Sequence, residues 1–293
     1  MKTRNARIVF SLSLAILLAA CGGGEKRTAD GGGSTSARSN KPVTIKGSDT
    51  MVILGQRLAE EYMTAKPGTV VQVNGGGSGT GIAALINGTI DLAMSSRPMK
   101  GDEMEKAKTA RGADIVEHAV ALDALGVFVH SSNPVAQLTI AQVKDIFQGK
   151  VTNWSQLGGP NAPVVLYGRE SSSGTYDYFR EHVLAKEDFA PAVQTLQGTA
   201  AIINAVGQDK NGIGYGGIAY AKDVKALPIS ADGKPAVAPT EATVADGTYP
   251  LARKLFFYYP SNAQERVTAF AQWSVTPEAQ ALVTKTGYFP LSK

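Results

Sequence analysis

The chain has little with which to build a metal or redox centre: one cysteine, Cys21, and three histidines, His118, His130 and His182, in 293 residues. A single cysteine excludes a disulfide within the chain. Scattered histidines exclude a clustered His/Cys zinc site, and His182 falls inside an expected helix, a poor place for a catalytic base. The Gly-rich run "GGGSGTG" (75–81) lacks the lysine of a phosphate-binding P-loop. The run "ESSSGT" (170–175) lacks the first glycine of a nucleophile elbow. Charge is also short. The formal net charge is +4, but Lys2, Arg4 and Arg7 lie in the first twenty residues, and without them 26 basic residues face 25 acidic ones. That balance leaves no electrostatic footprint for nucleic acid. No internal repeat of fixed period is present.

What is there is an ordinary globular composition, 43% hydrophobic and 18% charged, long enough for one large domain or two lobes. Glycine is abundant, at 32 residues, which points to tight turns and close backbone approaches. Residues 1–20, "MKTRNARIVFSLSLAILLAA", read as a signal peptide, with a basic start, an apolar stretch over about 8–18 and small residues after it. Cys21 follows directly. Leu18-Ala19-Ala20-Cys21 resembles the bacterial lipobox, which implies a lipidated Cys21 as the new N-terminus; a plain secreted protein with a stray thiol is the alternative. Residues 21–40 are Gly/Ser-rich and polar and are expected to act as a flexible tether.

From about Lys41 short β-branched runs alternate with amphipathic ones. "VTIKG" (43–47), "TVVQVN" (69–74) and "IDLAMSS" (90–96) read as strands. "MVILGQRLAEEYMTAK" (51–66) reads as a helix with Leu54, Leu58 and Tyr62 on one face, and "GIAALING" (81–88) as a shorter one. This rhythm predicts an α/β layer with a mostly parallel sheet. The extended apolar run "VALDALGVFVH" (120–130) could cross between lobes. Beyond it come a helix (140–149), a strand "PVVLYGR" (163–169), a helix "TYDYFREHVLA" (175–185) and "GIGYGGIAYA" (212–221). The turn-rich stretch around Pro235, Pro239 and Gly247 precedes a return strand over 249–260, and helices over 262–275 and 277–287 close the chain. The aromatic run Phe256, Phe257, Tyr258, Tyr259 reads as a buried strand.

The same local design precedes three helices. "KGSDTM" sets Ser48, Asp49 and Thr50 before the helix at Met51; "NGGGSGTG" sets Ser78 and Thr80 before the helix at Gly81; "GRESSSGTY" sets Arg169, Ser171 to Ser173, Gly174 and Thr175 before the helix near Tyr176. A close variant, "AMSSRP", puts Ser95, Ser96 and Arg97 at a strand end. Helix N-termini carry orphan N–H groups and partial positive charge, and small hydroxyl residues add donors without bulk. In an open α/β sheet such ends gather where ligands bind. Each serine alone is a plain N-cap; three such loops with two arginines point to an anion site. Arg169 offers a planar fork to a tetrahedral oxyanion. Arg97 could reach the anion or form an ion pair between lobes.

These segments, with "GIGYGGIAY" and the C-terminal "GYFPL", resemble the phosphate-binding proteins of bacterial phosphate ABC transporters, of the periplasmic-binding-protein class. The similarity runs from about Val43 to Leu291. It implies two α/β lobes joined by hinge crossovers with the ligand cleft between them: lobe one over 41–121 plus about 250–293, lobe two over 122–249. It implies an inorganic phosphate held by the Thr50 hydroxyl, the Met51 N–H, Ser78, Arg169, Ser173, the Gly174 N–H and Thr175, with Ser48, Asp49, Thr80, Ser96 and Arg97 as further candidates. It implies a membrane permease as partner, no cofactor, no catalysis and a monomer. Many members carry an aspartate where this chain has Ser96. There the carboxylate accepts a proton-bearing oxygen of phosphate and repels sulfate. Here the position is a hydroxyl, with Asp49 and Glu170 as the acids that could substitute. A receptor for sulfate, molybdate or tungstate, and a secreted hydrolase using Ser173, are the alternatives.

Overall fold

The computed structural model describes residues 41–231 and 233–291. The expected signal peptide, Cys21 and the tether lie outside them. Among the described residues no helix is long and apolar enough to cross a membrane.

The chain opens with β1 (Val43–Gly47), a 3-10 turn (Asp49–Met51), α1 (Val52–Ala65), β2 (Val71–Asn74), α2 (Ser78–Ile86), β3 (Leu92–Ser95) and α3 (Gly101–Arg111). The long strand β4 (Ile115–His130) then leads away. It is followed by β5 (Leu138–Thr139), α4 (Ile140–Phe147), β6 (Val165–Arg169), α5 (Gly174–His182), β7 (Gln194–Leu196), α6 (Thr199–Gln208), β8 (Gly212–Gly217), β9 (Val224–Ala226), β10 (Ile229–Ser230) and α7 (Glu241–Ala245). β11 (Ala252–Pro260) returns, and α8 (Glu265–Trp273) and α9 (Pro277–Lys285) finish the chain.

The main sheet runs β2-β1-β3-β11-β4-β8-β6-β7, with β9 beside β4. It is mixed rather than mostly parallel. β1 pairs parallel with β2 and β3, and β6 parallel with β7 and β8, because helical crossovers return each of those strands in the same direction. The centre is antiparallel: β11 lies between β3 and β4, and β4 pairs with β8. β4 and β11 are the outward and return passes between two α/β layers, so they run opposite ways. Their register slips between Leu255 and Phe256, a bulge that bends the crossing.

Each layer has its own core. Leu54, Leu58 and Tyr62 of α1 pack with Leu92, Met94, Phe257, Phe270 and Val283, and Tyr62 meets Phe270 edge-on at 5.2 Å. Burying each such aliphatic side chain contributes about 1.5–3 kcal/mol. The second core gathers Val127, Phe147, Trp154, Phe179, Tyr215 and Leu251, with Phe179 stacked on Tyr215 at 3.9 Å. Phe256 to Tyr259 are all buried, because β11 is covered on both faces.

Candidate anion-binding site

The glycine-rich loops start their helices earlier than the sequence suggests. Ser78 and Thr80 are the first and third residues of α2, and Gly174 and Thr175 open α5. The N-cap of α2 is Gly77 at φ 90°, and that of α6 is Gly198 at φ 79°; neither makes a side-chain cap bond. A side chain at either backbone would be strained, and a cap without one leaves first-turn N–H groups to other acceptors; in α2 the Gly79 N–H is taken by the Ser172 carbonyl at 2.9 Å. A Cβ on Gly77 would also lie 2.5 Å from the Ser172 carbonyl oxygen. α5 differs: the Ser173 Oγ accepts from the Thr175 and Tyr176 N–H groups.

Hydroxyls from both layers meet at these helix starts. Thr50 Oγ1 lies 2.8 Å from Thr175 Oγ1 and 3.5 Å from Thr199 Oγ1. Ser96 Oγ lies 3.5 Å from Thr175 Oγ1 and 3.4 Å from Ser78 Oγ, which accepts from the Ser96 N–H at 3.1 Å. All five residues are at most 1% exposed. The first loop is braced from behind. Tyr220 donates to the Asp49 carbonyl at 2.7 Å, and Tyr288 to the Thr50 carbonyl. Burial pushes the Tyr220 hydroxyl up to about 12 and that of Tyr288 well above its usual 10.0, so both stay protonated as donors.

Arg169, 2% exposed, is held at one side of the hydroxyls. Its Nε and Nη2 donate to Glu170 at 3.0 and 2.8 Å, Nη1 to Thr199 Oγ1 at 2.8 Å, and Nη2 also to Asp49 at 3.0 Å. Asp49 is therefore not a helix cap; its second oxygen accepts the Gly76 N–H at 2.8 Å. Arg97 turns from the hydroxyls. It pairs bidentately with Glu103 at 2.7 and 2.8 Å, and its Nε lies 2.8 Å from Asp177, an ion pair between the layers. Met51 and Ser48 do not join the cluster either: the Met51 N–H is engaged by the Ser48 carbonyl at 2.9 Å. Thr80 makes no side-chain hydrogen bond to the cluster hydroxyls, although it shares the first turn of α2 with Ser78. As for a hydrolase, His182 ends α5, about 13 Å along the helix from Ser173. Among the described residues no group of three or more His, Cys, Asp or Glu side chains could hold a metal ion.

Three residues at the site escape the sequence reading. Thr199 follows Gly198 at the start of α6, the same Gly-Thr opening as α5, but Gly-Thr also occurs outside helices at 68–69, 88–89 and 247–248. Asp123 on β4 and Arg253 on β11 are register partners. Arg253 donates to Asp123 Oδ2 from Nε at 3.0 Å and Nη2 at 2.8 Å, and from Nη2 to Thr175 Oγ1 at 3.0 Å. Burial pushes the Asp123 carboxyl up, and Arg253 pulls it back toward the ionised form. For Asp123 the available signal is a lone charge within an apolar run, since buried charges need partners; Arg253 stands beside Lys254 and carries no such signal.

Two α/β layers joined by crossing strands, with donors from both converging at helix starts, define a two-lobed binding protein. The model of the PBP superfamily domain matches residues 32–278. The chain is 38% identical over 263 residues to the "Phosphate-binding protein PstS" of Pseudomonas aeruginosa, covering 84% of this chain and 81% of that protein. It is 35% identical over 262 residues to the "Protein SphX" of Synechococcus elongatus, covering 85% and 77%. Among solved structures, a putative phosphate ABC transporter substrate-binding protein with bound phosphate from Clostridium perfringens aligns with TM-score 0.78 and 32% identity, over 86% of this chain and all of that one. An ABC-type phosphate transport receptor from Vibrio cholerae aligns with TM-score 0.69 and 30% identity, over 84% and 99%. The chain belongs to the PBP superfamily and, within it, to the PstS family of phosphate-binding proteins.

Proposed function

We propose that the protein is the extracytoplasmic receptor for inorganic phosphate of an ABC transporter, and that it hands the anion to a membrane permease. The observation that carries this reading is the convergence of the Thr50, Ser78, Ser96, Thr175 and Thr199 hydroxyls with Arg169 at the N-termini of α2, α5 and α6. Such a site has the donors a tetrahedral oxyanion accepts from. Ser173 contributes its hydroxyl proton and Gly174 its N–H. The lobes, 41–121 plus 250–293 and 122–249, close over the ligand by bending at β4 and β11. The receptor works as a monomer, without cofactor and without turnover, and Cys21 carries the lipid that holds it at the membrane. Two or three acyl chains make that attachment stable, since one alone is marginal.

The test is calorimetric titration of anion-stripped protein with phosphate, arsenate, sulfate and molybdate. Tight stoichiometric phosphate binding is the expected result. The hydroxyl of Ser96, where a carboxylate would reject fully ionised anions, favours one competing reading. Sulfate or molybdate bound more tightly than phosphate would make this a receptor for that anion. Turnover of a chromogenic ester, abolished in Ser173→Ala, would make it a hydrolase. For the anchor, mass spectrometry of the membrane-associated protein should show acylated Cys21; unmodified Cys21 there would refute lipidation.

A further inference from the structure

Four of the five N–H groups of Arg169 are already engaged, two by Glu170 and one each by Thr199 and Asp49. Arg253 is different. It is 6% exposed, its Nε and Nη2 serve Asp123, and its Nη1 is buried with no partner among the described residues. A buried donor without a partner is costly, and a guanidinium so placed calls for an acceptor. The planar group has two forks. The side-on fork of Nε and Nη2 is filled by Asp123. The remaining Nη2 hydrogen belongs to the end-on fork and points to Thr175 Oγ1 at 3.0 Å. An Nη1 hydrogen lies parallel to it, so the open fork faces the hydroxyl cluster. Tyr178 supports the other surface, its ring centroid 5.3 Å from Arg253 Cζ, and its hydroxyl donates to the Ala252 carbonyl at 2.9 Å.

We infer that Arg253 is a second guanidinium ligand of the oxyanion, a residue outside the set that the family resemblance implies. It takes one or two anion oxygens on the Nη1/Nη2 edge while Asp123 keeps the opposite edge. The inference rests on the phosphate reading above. Its place on the fold gives it a distinct part. Arg169 is carried at the end of β6 in one layer, but Arg253 and its counter-ion lie on β11 and β4, the strands that cross between layers. Its fork is set by strand register and by Tyr178, without help from the loops of either lobe. The anion then meets one fixed guanidinium at the crossing and gathers the loop hydroxyls around it.

The experiment is calorimetric titration of the mature protein with inorganic phosphate, comparing wild type, Arg253→Gln, Arg253→Lys and the double variant Asp123→Asn/Arg253→Gln. The single Gln variant leaves Asp123 buried and unpaired, so it could lose its fold; the double variant replaces the ion pair by a neutral pair of similar shape. Thermal melting establishes which variants fold. Affinity in the double variant should fall at least about thirtyfold, and Arg253→Lys should recover part of that loss. A folded double variant within threefold of wild type would overturn the inference and leave Arg253 as the counter-ion of Asp123. Wild-type protein that takes up no phosphate would instead overturn the phosphate reading itself, and this inference with it.

Discussion

The hydroxyl oxygens of Thr50 and Thr175 lie 2.8 Å apart, although 125 residues separate them in sequence. Thr50 stands in the turn after β1 and Thr175 in the first turn of α5, so the contact joins the two layers. Thr175 also meets Arg253 and Ser96. Thr175→Val keeps the shape and removes that oxygen. Hydrogen bonds to a charged group are worth about 1.5–3 kcal/mol, so phosphate affinity should fall by about tenfold to a hundredfold. Melting should stay within a few degrees of wild type. Unchanged affinity on calorimetry would take Thr175 out of the site.

Arg169 should cost more. Arg169→Ala removes a buried guanidinium and leaves Asp49 and Glu170 facing the site without their cation. By analogy with truncating one partner of a buried charge pair, the loss should be on the order of 2–5 kcal/mol of binding. Arg169→Lys should recover little. One ammonium cannot reproduce a fork that reaches Glu170, Thr199 and Asp49 together. Titration of both variants with phosphate checks the order; equal affinities for Lys and Ala variants and wild type would contradict it.

The loops that build the site were legible because each joins a strand to a helix with glycines and hydroxyls between, a local pattern. α3 was not: its one buried residue is Ala107, so no apolar stripe marks it. The partner of Arg97 was legible only as two possibilities, since choosing Asp177 over the anion depends on how the layers meet. Asp123 and Arg253 were illegible for the same reason. They sit opposite each other through the pairing of β4 with β11, and register between strands so far apart in sequence is a tertiary outcome. The expected parallel sheet failed at that pairing too. Local βαβ rhythm describes each layer, but not the two long strands that connect them.

Asp49 was one of two acids that could stand in for the carboxylate replaced by Ser96. Each of its oxygens accepts one bond, one from the Gly76 N–H and the other from Arg169. A lone pair remains on each oxygen, but the carboxylate is tied to the second loop and to Arg169 and bonds none of the cluster hydroxyls. Asp49→Asn should therefore weaken phosphate and sulfate alike, through loss of the Arg169 ion pair, and leave their affinity ratio within about threefold. The size follows from losing one charge-assisted bond in a partly buried pair, about tenfold in each affinity. Competition titrations decide it. A sharp gain of sulfate over phosphate would make Asp49 the acceptor after all.

The Arg97–Glu103 pair gives the fold a pH dependence of known sign. Burial raises the Glu103 carboxyl, but hydrogen bonds from Arg97 and the Lys100 N–H outweigh it and hold the group below its usual 4.5. An acid depressed in the folded state adds stability above its unfolded pKa and loses it as pH falls through the folded one. Glu103→Gln should therefore be destabilised near pH 7. The gap to wild type should narrow as pH falls below about 4.5 and through the depressed folded-state pKa. Urea denaturation as a function of pH measures the gap; a difference that stays constant however far the pH is lowered would show that the carboxylate charge is not what stabilises this corner.

Gly174 separates closure from folding. It is the first residue of α5, and a Cβ there would lie 2.3 Å from Ser78 Oγ and 2.9 Å from Ser96 Oγ, both on the opposite layer. Those hydroxyls can rotate, but Ser78 Cβ, at 2.8 Å, is fixed to the start of α2, so relieving the clash requires the layers to move apart. Within its own helix the methyl is harmless, since alanine is favoured over glycine in a helix by up to about 1 kcal/mol. Gly174→Ala should thus melt within a few degrees of wild type in the absence of phosphate. It should bind phosphate at least about a hundredfold more weakly, because donors from the two layers can no longer reach one anion together. Small-angle scattering should show a radius of gyration that shrinks with saturating phosphate in wild type and stays large in Gly174→Ala. A variant that binds and compacts as wild type does would mean that the layers meet differently around the ligand than they do around these hydroxyls.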